Sequence, residues 1–486
     1  MSDKSKSLNA IRQPLTFTPD SSRVITKKFF PGTEDRIASI IHRILILSEK
    51  QTKEILNETI GKFSSRHNDI KRIFKDNFDK IEYTINEVLS LEKKLLIGSY
   101  FTMEYSIESA ALFNPSIVPH PDQNKLNEGE LRIIISFRAV GEGHMSSIVF
   151  RKGVIKANGN IAIDEKSSLV ENSLITPDKK YNKVNFVYKL KDINCYDLIS
   201  KILDNLLDTF IFDELVESIK IFKKQNKITS LHNEAIDTLI WLAESNYEIQ
   251  FNKNLSLSGR VIFPNSKNER KGLEDARFVH FKDEDGLERY YATYSAYNGI
   301  TSLPQLIETE DFSHFKISTL NGSGSQNKGM ALFPEKINGK YAIISRYDNE
   351  NLYILFSDNV RYWNNPVLLR EPEFYWEFFQ IGNSGSPLKT DKGWLLLTHG
   401  VGPVRTYCLG ALLLDLNDPS KVIGALKNPL LVPLESERNG YVPNVVYTCG
   451  AIIHNDYLVI PYAVSDSQSC IAKIKLDDVL NCMEIV

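Results

Sequence analysis

The sequence predicts a mainly β protein: a five-bladed β-propeller with an α-helical N-terminal extension and a helical insertion between blades. Three observations predict it. Short strand-like runs bounded by turn residues fill most of the chain. Helical periodicity is confined to two stretches. A loose unit of several strands recurs at a spacing of about 50–60 residues, with no helical crossover inside it.

In chain order, residues 1–32 read as an irregular arm. From Glu34 to Leu96 the apolar residues Ile37, Ile40, Ile41 and Ile44, then Ile70, Ile73, Phe74 and Phe78, recur with helical spacing. No proline falls between Pro31 and Pro115, which predicts two or three long helices. Leu131–Phe137 (LRIIISF) and Ser147–Phe150 (SIVF) open a first strand unit that runs to Ile163. Tyr196–Tyr247, carrying DLISKILDNLLDTFIFDELVESIKIF and EAIDTLIWLAE, reads as a helical insertion. Four further units start at Arg277, Leu332, Gly385 and Asn444. Their hairpin tips (DEDG, NG, DKG and HND) supply the residues that tight turns require. A β-sandwich with irregular hairpins is the alternative reading of the same runs. The expected division is 1–96 for the arm and helical extension and 97–486 for the propeller, with the insertion at 196–247.

A chain of 486 residues exceeds what one ordinary core serves, which fits a repeat architecture. Its 58 basic and 61 acidic residues leave a formal charge of -3, so nothing electrostatic favours nucleic acid or an anionic membrane as partner. The polar start MSDKSKSLNAIRQ lacks a signal-type apolar stretch, and no run approaches the roughly 18 apolar residues of a membrane span. Cys195, Cys408, Cys449, Cys470 and Cys482 are odd in number and contain no CxxC pair. They read as buried thiols, with a stray disulfide as the alternative, and a cytoplasmic location is expected. No ligand cluster suggests a metal, and none is expected.

The densest polar cluster is KGLEDARF, Lys271–Phe278. Adjacent residues of an extended segment point to opposite faces. One of Glu274 and Asp275 can therefore face the channel while the other is tied into structure by Arg277. A carboxylic acid aimed into a concave site is what glycosidic cleavage needs, because the leaving oxygen must be protonated. Standing alone, the same string is more often a surface ion pair. Lys328, Arg346 and His399 sit in corresponding parts of different units and would suit an anion such as phosphate if they converge. Singly, each reads as a structural salt bridge or a satisfied core residue. No GxxxxGK[ST], dinucleotide fingerprint or HExxH string is present, and Ser384 and Ser386 in GNSGSP lack the helix a nucleophile elbow needs.

With these clusters placed, the chain resembles glycoside hydrolase family 130, the inverting β-mannoside phosphorylases and hydrolases, in its longer branch with a helical N-terminal extension. The resemblance covers about Asn114–Asp466 apart from the insertion. GLEDARF is similar to the family's Gly-x-Glu-Asp-Pro-Arg signature. ALFPEKINGKY, GWLLLTHGV, GALLLDLNDP and GYVPNVVYTCG look like family segments in the expected order. The resemblance implies a five-bladed propeller with Asp275 as general acid, acting through the 3-hydroxyl of the mannosyl unit. It also implies phosphate binding at Lys328, Arg346 and His399, and substrate binding at Asn114, Arg138, Glu274 and Arg277. Inorganic phosphate would be co-substrate, an oligosaccharide or glycoside the substrate, and mannose 1-phosphate a product, with β-1,2 linkage expected. The departures are Ala276 for the signature proline, Lys328 for an arginine, and Gln380 for a lysine. The change at Lys328 keeps the charge and loses the bidentate fork. An inverting hydrolase would need a carboxylate base, for which Glu335 and Glu377 are the nearest in sequence. A mannosyltransferase, or a sugar- or protein-binding module, are further alternatives. The amphipathic helices allow either a cover over the propeller mouth or a homo-oligomer contact.

Overall fold

A computed structural model describes residues 8–82, 85, 87–171, 173–177, 180–299 and 302–485. The first seven residues of the expected arm lie outside the described residues. The rest of the arm is more regular than its sequence suggests. Ile11–Phe17 is a strand pairing antiparallel with Gln468–Lys475, and Val24–Lys28 pairs with Thr102–Ser106. Pro14 hid the first strand. It is tolerated because this is an edge strand and the register slips between Arg12 and Thr16.

The extension folds as four helices: α1 (Glu34–Leu45), α2 (Glu49–Phe63), α3 (Ile70–Asp79) and α4 (Leu91–Tyr100). Capping residues set where they start. Ser48 forms a capping box with Gln51, Asp69 accepts from the Arg72 amide, and Ser90 accepts from the Lys93 amide. One apolar face of each meets in a common core of Ile37, Ile41, Leu56, Phe74, Phe78 and Leu96. Gly98 lets α4 approach α3, since a Cβ there would collide with the Phe74 carbonyl.

A second helical group comprises α5 (Lys183–Asp192), α6 (Tyr196–Asp204), α7 (Phe212–Gln225) and α8 (Ser230–Glu244), around its own core of Leu190, Leu203, Phe210, Leu215 and Leu239. It begins ahead of Tyr196 because Asn182 caps α5, whose lysine-rich sequence masks its apolar stripe. A short α9 (Leu476–Asn481) ends the chain's regular structure.

The remainder is antiparallel sheet. Ala111–Pro119, Leu131–Val140 and Ser146–Ile155 pair in sequence order, as do Gly272–Lys282, Glu288–Tyr297, Ser302–Thr309 and His314–Thr319. A single parallel pair, Gly272 with Ser146, links these two groups into an eleven-stranded sheet that Tyr247–Gln250 and Leu174–Pro177 extend. Ala331–Leu332, Tyr341–Ser345, Leu352–Ser357 and Val367–Arg370 form a four-stranded sheet. Gln380–Asn383, Trp394–Val401, Tyr407–Leu414 and Val422–Ala425 form the body of the next. Val446–Tyr447, Tyr457–Val464, Gln468–Lys475 and Ile11–Phe17 form the last. The NG tip works as the turn chemistry requires: Asn338 and Gly339 both have positive φ, at 50° and 78°.

Apolar side chains join each group to the next. Phe150 meets Phe278 and Ile317, Tyr291 meets Leu332 and Ile343, Phe333 meets Trp394, and Leu397 meets Leu458. Ile135 and Phe137 then meet Val459 and Ile471, so the last sheet packs against the first. Together these elements form a mixed β/α fold. Among the described residues no helix is long and apolar enough to cross a membrane.

Candidate active site

Asp275 stands where the pairing of Gly272–Lys282 with Glu288–Tyr297 slips, between Glu274 and Arg277, and its φ is 55°. Asn114 stands at the matching slip of its own strand, between Phe113 and Ser116, with φ 48°. Such bulges re-aim side chains, and a non-glycine residue held at positive φ costs about 1–3 kcal/mol. Here the two re-aimed side chains meet: Asn114 Nδ2 donates to Asp275 Oδ1 at 2.7 Å.

The bulge also overturns the expected alternation. Glu274 and Asp275 both turn toward Arg138, whose Nη2 lies 2.7 Å from Glu274 Oε1 and whose Nη1 lies 3.4 Å from Asp275 Oδ1. Arg277 binds neither carboxylate. It donates to the Asp275 backbone carbonyl at 2.9 Å and to the Tyr447 hydroxyl at 2.6 Å. Lys328 is paired with Glu274, so its charge is already engaged. The lead-in to this strand is anchored by buried Glu269, which accepts from the hydroxyls of Tyr247 (2.9 Å) and Tyr294 (2.6 Å).

Arg346 and His399 form the neighbouring pair, with Arg346 Nη1 3.5 Å from His399 Nε2. The imidazole is wholly enclosed, and Gly382 leaves room for it, since a Cβ there would collide with the ring. Burial, with the charges of Arg346 and Arg277, pushes its pKa well below the ordinary histidine range. His399 is therefore a neutral hydrogen-bonding group and not a cation. Its ring lies 4.9 Å from that of Tyr447, which connects this pair to Arg277.

Burial opposes ionisation of Asp275. Arg138, Arg277, the bond from Asn114 and Lys328 outweigh it and hold the carboxyl below its ordinary range. A second carboxylate escaped the sequence reading. Asp466, in the turn after Tyr457–Val464, is pushed up to about 6 by burial and by the charge of Asp275, against Arg138 and Arg405. Asn383 was also missed. Both ends of its buried amide lack a partner, as do Asn114 Oδ1, Arg138 Nε and Arg346 Nε. Such groups gathered in one place are set to receive a polar ligand. Neither Asp466 nor Asn383 has a charged neighbour in sequence to mark it.

Two hairpins border this set with one design. Arg138 pairs with Ile148, and His399 pairs with Leu409, each two residues before a strand's end. Beyond them Gly141–Met145 and Gly402–Thr406 each hold two successive left-handed residues, Gly143 (φ 67°) and His144 (58°), and Val404 (55°) and Arg405 (54°). His144 stacks on Tyr441 at 5.8 Å. The two carboxylates considered as hydrolase bases are engaged in other contacts. Glu335 pairs with Lys389 on the surface, and buried Glu377 caps the backbone amides of Glu373 and Phe374. Among the described residues no group of three His, Cys, Asp or Glu is set to hold a metal ion.

A buried carboxylate among guanidinium and amide groups can move a proton while fixing several hydroxyls, which is the equipment of a carbohydrate-active enzyme. Residues 229–485 match the model of glycoside hydrolase family 130, described as beta-1,4-mannooligosaccharide phosphorylase. The chain belongs to that family. It is 35% identical over 237 residues to a 1,2-beta-oligomannan phosphorylase of Thermoanaerobacter sp. (strain X514), covering 46% of this chain and 75% of the relative. It is 32% identical over 231 residues to a beta-1,2-mannobiose phosphorylase of Listeria innocua, covering 46% of this chain and 63% of the relative. A solved structure of the Listeria innocua enzyme with beta-1,2-mannobiose shares 22% identity at a TM-score of 0.45, over 78% of this chain and 92% of that one.

Proposed function

We propose that the protein is an inverting β-mannoside phosphorylase acting on β-1,2-linked mannosides, with Asp275 as general acid. The observation that carries this reading is the meeting of Asp275, Asn114 and Arg138 beside the Arg346–His399 pair and the unpartnered Asn383 amide. Two relatives above 30% identity, named for 1,2-linked mannosides, favour that linkage.

In this reading the sugar occupies Asn114, Arg138 and Asp275, with Glu274 and Arg277 holding these groups in place. Phosphate binds at Arg346, with Arg277 behind it and Lys328 shared with Glu274. His399 can accept from Arg346 through Nε2 only if its proton sits on Nδ1, which faces Ser384 Oγ at 3.4 Å. It thus orients the guanidinium. Asp275 passes a proton through the sugar's 3-hydroxyl to the leaving oxygen while a phosphate oxygen attacks the anomeric carbon from the opposite face. The carbon–oxygen bond of the glycoside breaks as the new one forms, giving α-mannose 1-phosphate and a shortened sugar. The cations that hold Asp275 ionised in the free protein are offset when phosphate adds negative charge beside them, which raises its pKa toward that of a usable acid.

The same reading takes the sheets as five blades of a propeller, supported by the apolar clusters that join each to the next and the last to the first. It divides the chain into an extension (1–96) and a catalytic domain (97–486) with a helical insertion, and takes the cytoplasm as its location.

The test is product analysis on β-1,2-mannobiose with and without inorganic phosphate. Mannose 1-phosphate that forms only with phosphate is expected. Free mannose at equal rates in both would sink the phosphorylase reading and turn attention to Asp466 as a base. Asp275→Asn is expected to lower kcat by about 10²–10⁴ with KM little changed.

A further inference from the structure

A cleft of about 520 Å³ lies away from Asp275, where the helical extension, the Val24–Lys28 strand, the lead-in to the insertion and Phe263–Pro264 come together. That volume suits a small molecule. Four cations line it: Lys27 and Lys28 from the strand, Arg72 and Lys80 from α3 and its C-terminus. None of the four forms an ion pair with a described residue, although Asp76 and Glu171 also border the cleft. Four positive groups against two negative ones leave an excess of two.

These are not all loose surface lysines. The Lys27 ammonium is held over the rings of Tyr105 and Phe263, 4.7 and 4.8 Å from their centroids, and Lys28 over Phe30 at 4.0 Å. Burial pushes the pKa of both lysines down, and the charge of Lys80 adds to this at Lys28. Only the charge of Glu142 offsets this at Lys27. Half-buried like charges with too few counter-charges are unfavourable, and a bound anion relieves them. The remaining lining includes the amides of Asn68 and Asn77, whose nitrogens already donate to Glu171 and to Thr102 Oγ1, together with the Ser173 hydroxyl and the ring of Phe263. Amides and a hydroxyl beside an aromatic face suit a pyranose ring better than a bare ion.

We infer that this cleft binds a phosphorylated monosaccharide, its phosphoryl group among Lys28, Arg72 and Lys80 and its sugar ring toward Phe263 and the two asparagines. Arg72 supplies the planar fork that phosphate oxygens favour, and the lysines supply point charges. The inference is independent of the reaction at Asp275. A ligand here would tie α3 to the segment from Phe263 to Glu269, which leads into the strand of Asp275.

The test is calorimetric titration of the full chain carrying Arg346→Ala, which silences the proposed phosphate site beside Asp275. The probes are mannose 6-phosphate, inorganic phosphate and mannose. Mannose 6-phosphate is expected to bind one to one, at least tenfold more tightly than inorganic phosphate, with no detectable heat from mannose. Adding Lys28→Ala with Lys80→Ala, or Arg72→Ala alone, is expected to weaken it at least tenfold with an unchanged Tm of the unliganded protein. Adding Asp275→Asn is expected to leave it unchanged. Equal affinity for inorganic phosphate would overturn the sugar part of the assignment. No binding, or binding that both cleft variants leave intact, would overturn the site itself.

Discussion

Asp275 and Asp466 share one electrostatic neighbourhood but hold their protons differently. Asp275 lies under more positive charge and is kept ionised, whereas Asp466, more weakly compensated, is pushed up to about 6. The consequences for stability have opposite signs. Asp275, depressed, stabilises the fold above the ordinary carboxylate range, and that contribution is lost as pH falls through its folded value. Asp466, raised, binds a proton in the folded state that the unfolded chain has already released, so stability falls as pH rises from about 4 to about 6. Asp466→Asn is therefore expected to raise Tm at pH 7.5 and to leave it unchanged at pH 4, as measured by thermal unfolding. Equal shifts at both pH values would exclude this account. Sequence alone marks Asp275 because its neighbours Glu274 and Arg277 are contiguous with it. Asp466 owes its state to burial and to a residue far away along the chain, neither of which a local pattern records.

Bulges and tight hairpins place the groups of the site, and they are what the sequence conceals. A motif such as GLEDARF says which residues stand together and not that the strand slips there, because the slip is a property of pairing with Glu288–Tyr297. For that reason the alternation expected of Glu274 and Asp275 failed, and the strand expected to start at Arg277 already begins at Gly272. The left-handed pairs in the two bordering hairpins are similar in kind. Val404, β-branched and 87% exposed, occupies a conformation that favours glycine. Val404→Gly is expected to be neutral or to stabilise by up to about 1 kcal/mol in urea unfolding, relief of strain offsetting the entropy glycine loses. Gly98→Ala is expected to do the reverse, destabilising by about 1–3 kcal/mol through its clash with the Phe74 carbonyl. If Val404→Gly proved as damaging as Gly98→Ala, the hairpin would be held by contacts of the valine and not in spite of its strain.

At the scale of the whole molecule, repeats and periodicity made both the strand-rich body and the helical groups legible, since those signals are local. The helices came out shorter and more numerous than expected because Ser48, Asp69 and Ser90 each end one turn of chain and begin the next. What stayed hidden was the long-range pairing of Ile11–Phe17. That strand covers the edge of Gln468–Lys475, and Arg12 locks it with bonds to Glu437 at 2.8 and 2.9 Å. Deleting residues 8–17 is expected to lower Tm by several degrees and to promote aggregation through the bared edge, read by light scattering on heating. A deletion that left both unchanged would make the strand an ornament of the fold.

The same strand has a consequence for biogenesis. Its paired residues Thr16 and Cys470 stand 454 positions apart, so residues 11–17 wait while the intervening chain is made, roughly half a minute or more at ordinary elongation rates. During that interval the earlier sheets can form beside their neighbours in sequence, but the final one lacks its partner strands. Its assembly comes late by geometry alone, and a nascent chain that stops short of Gln468 displays an open seam that a quality-control protease or chaperone can read.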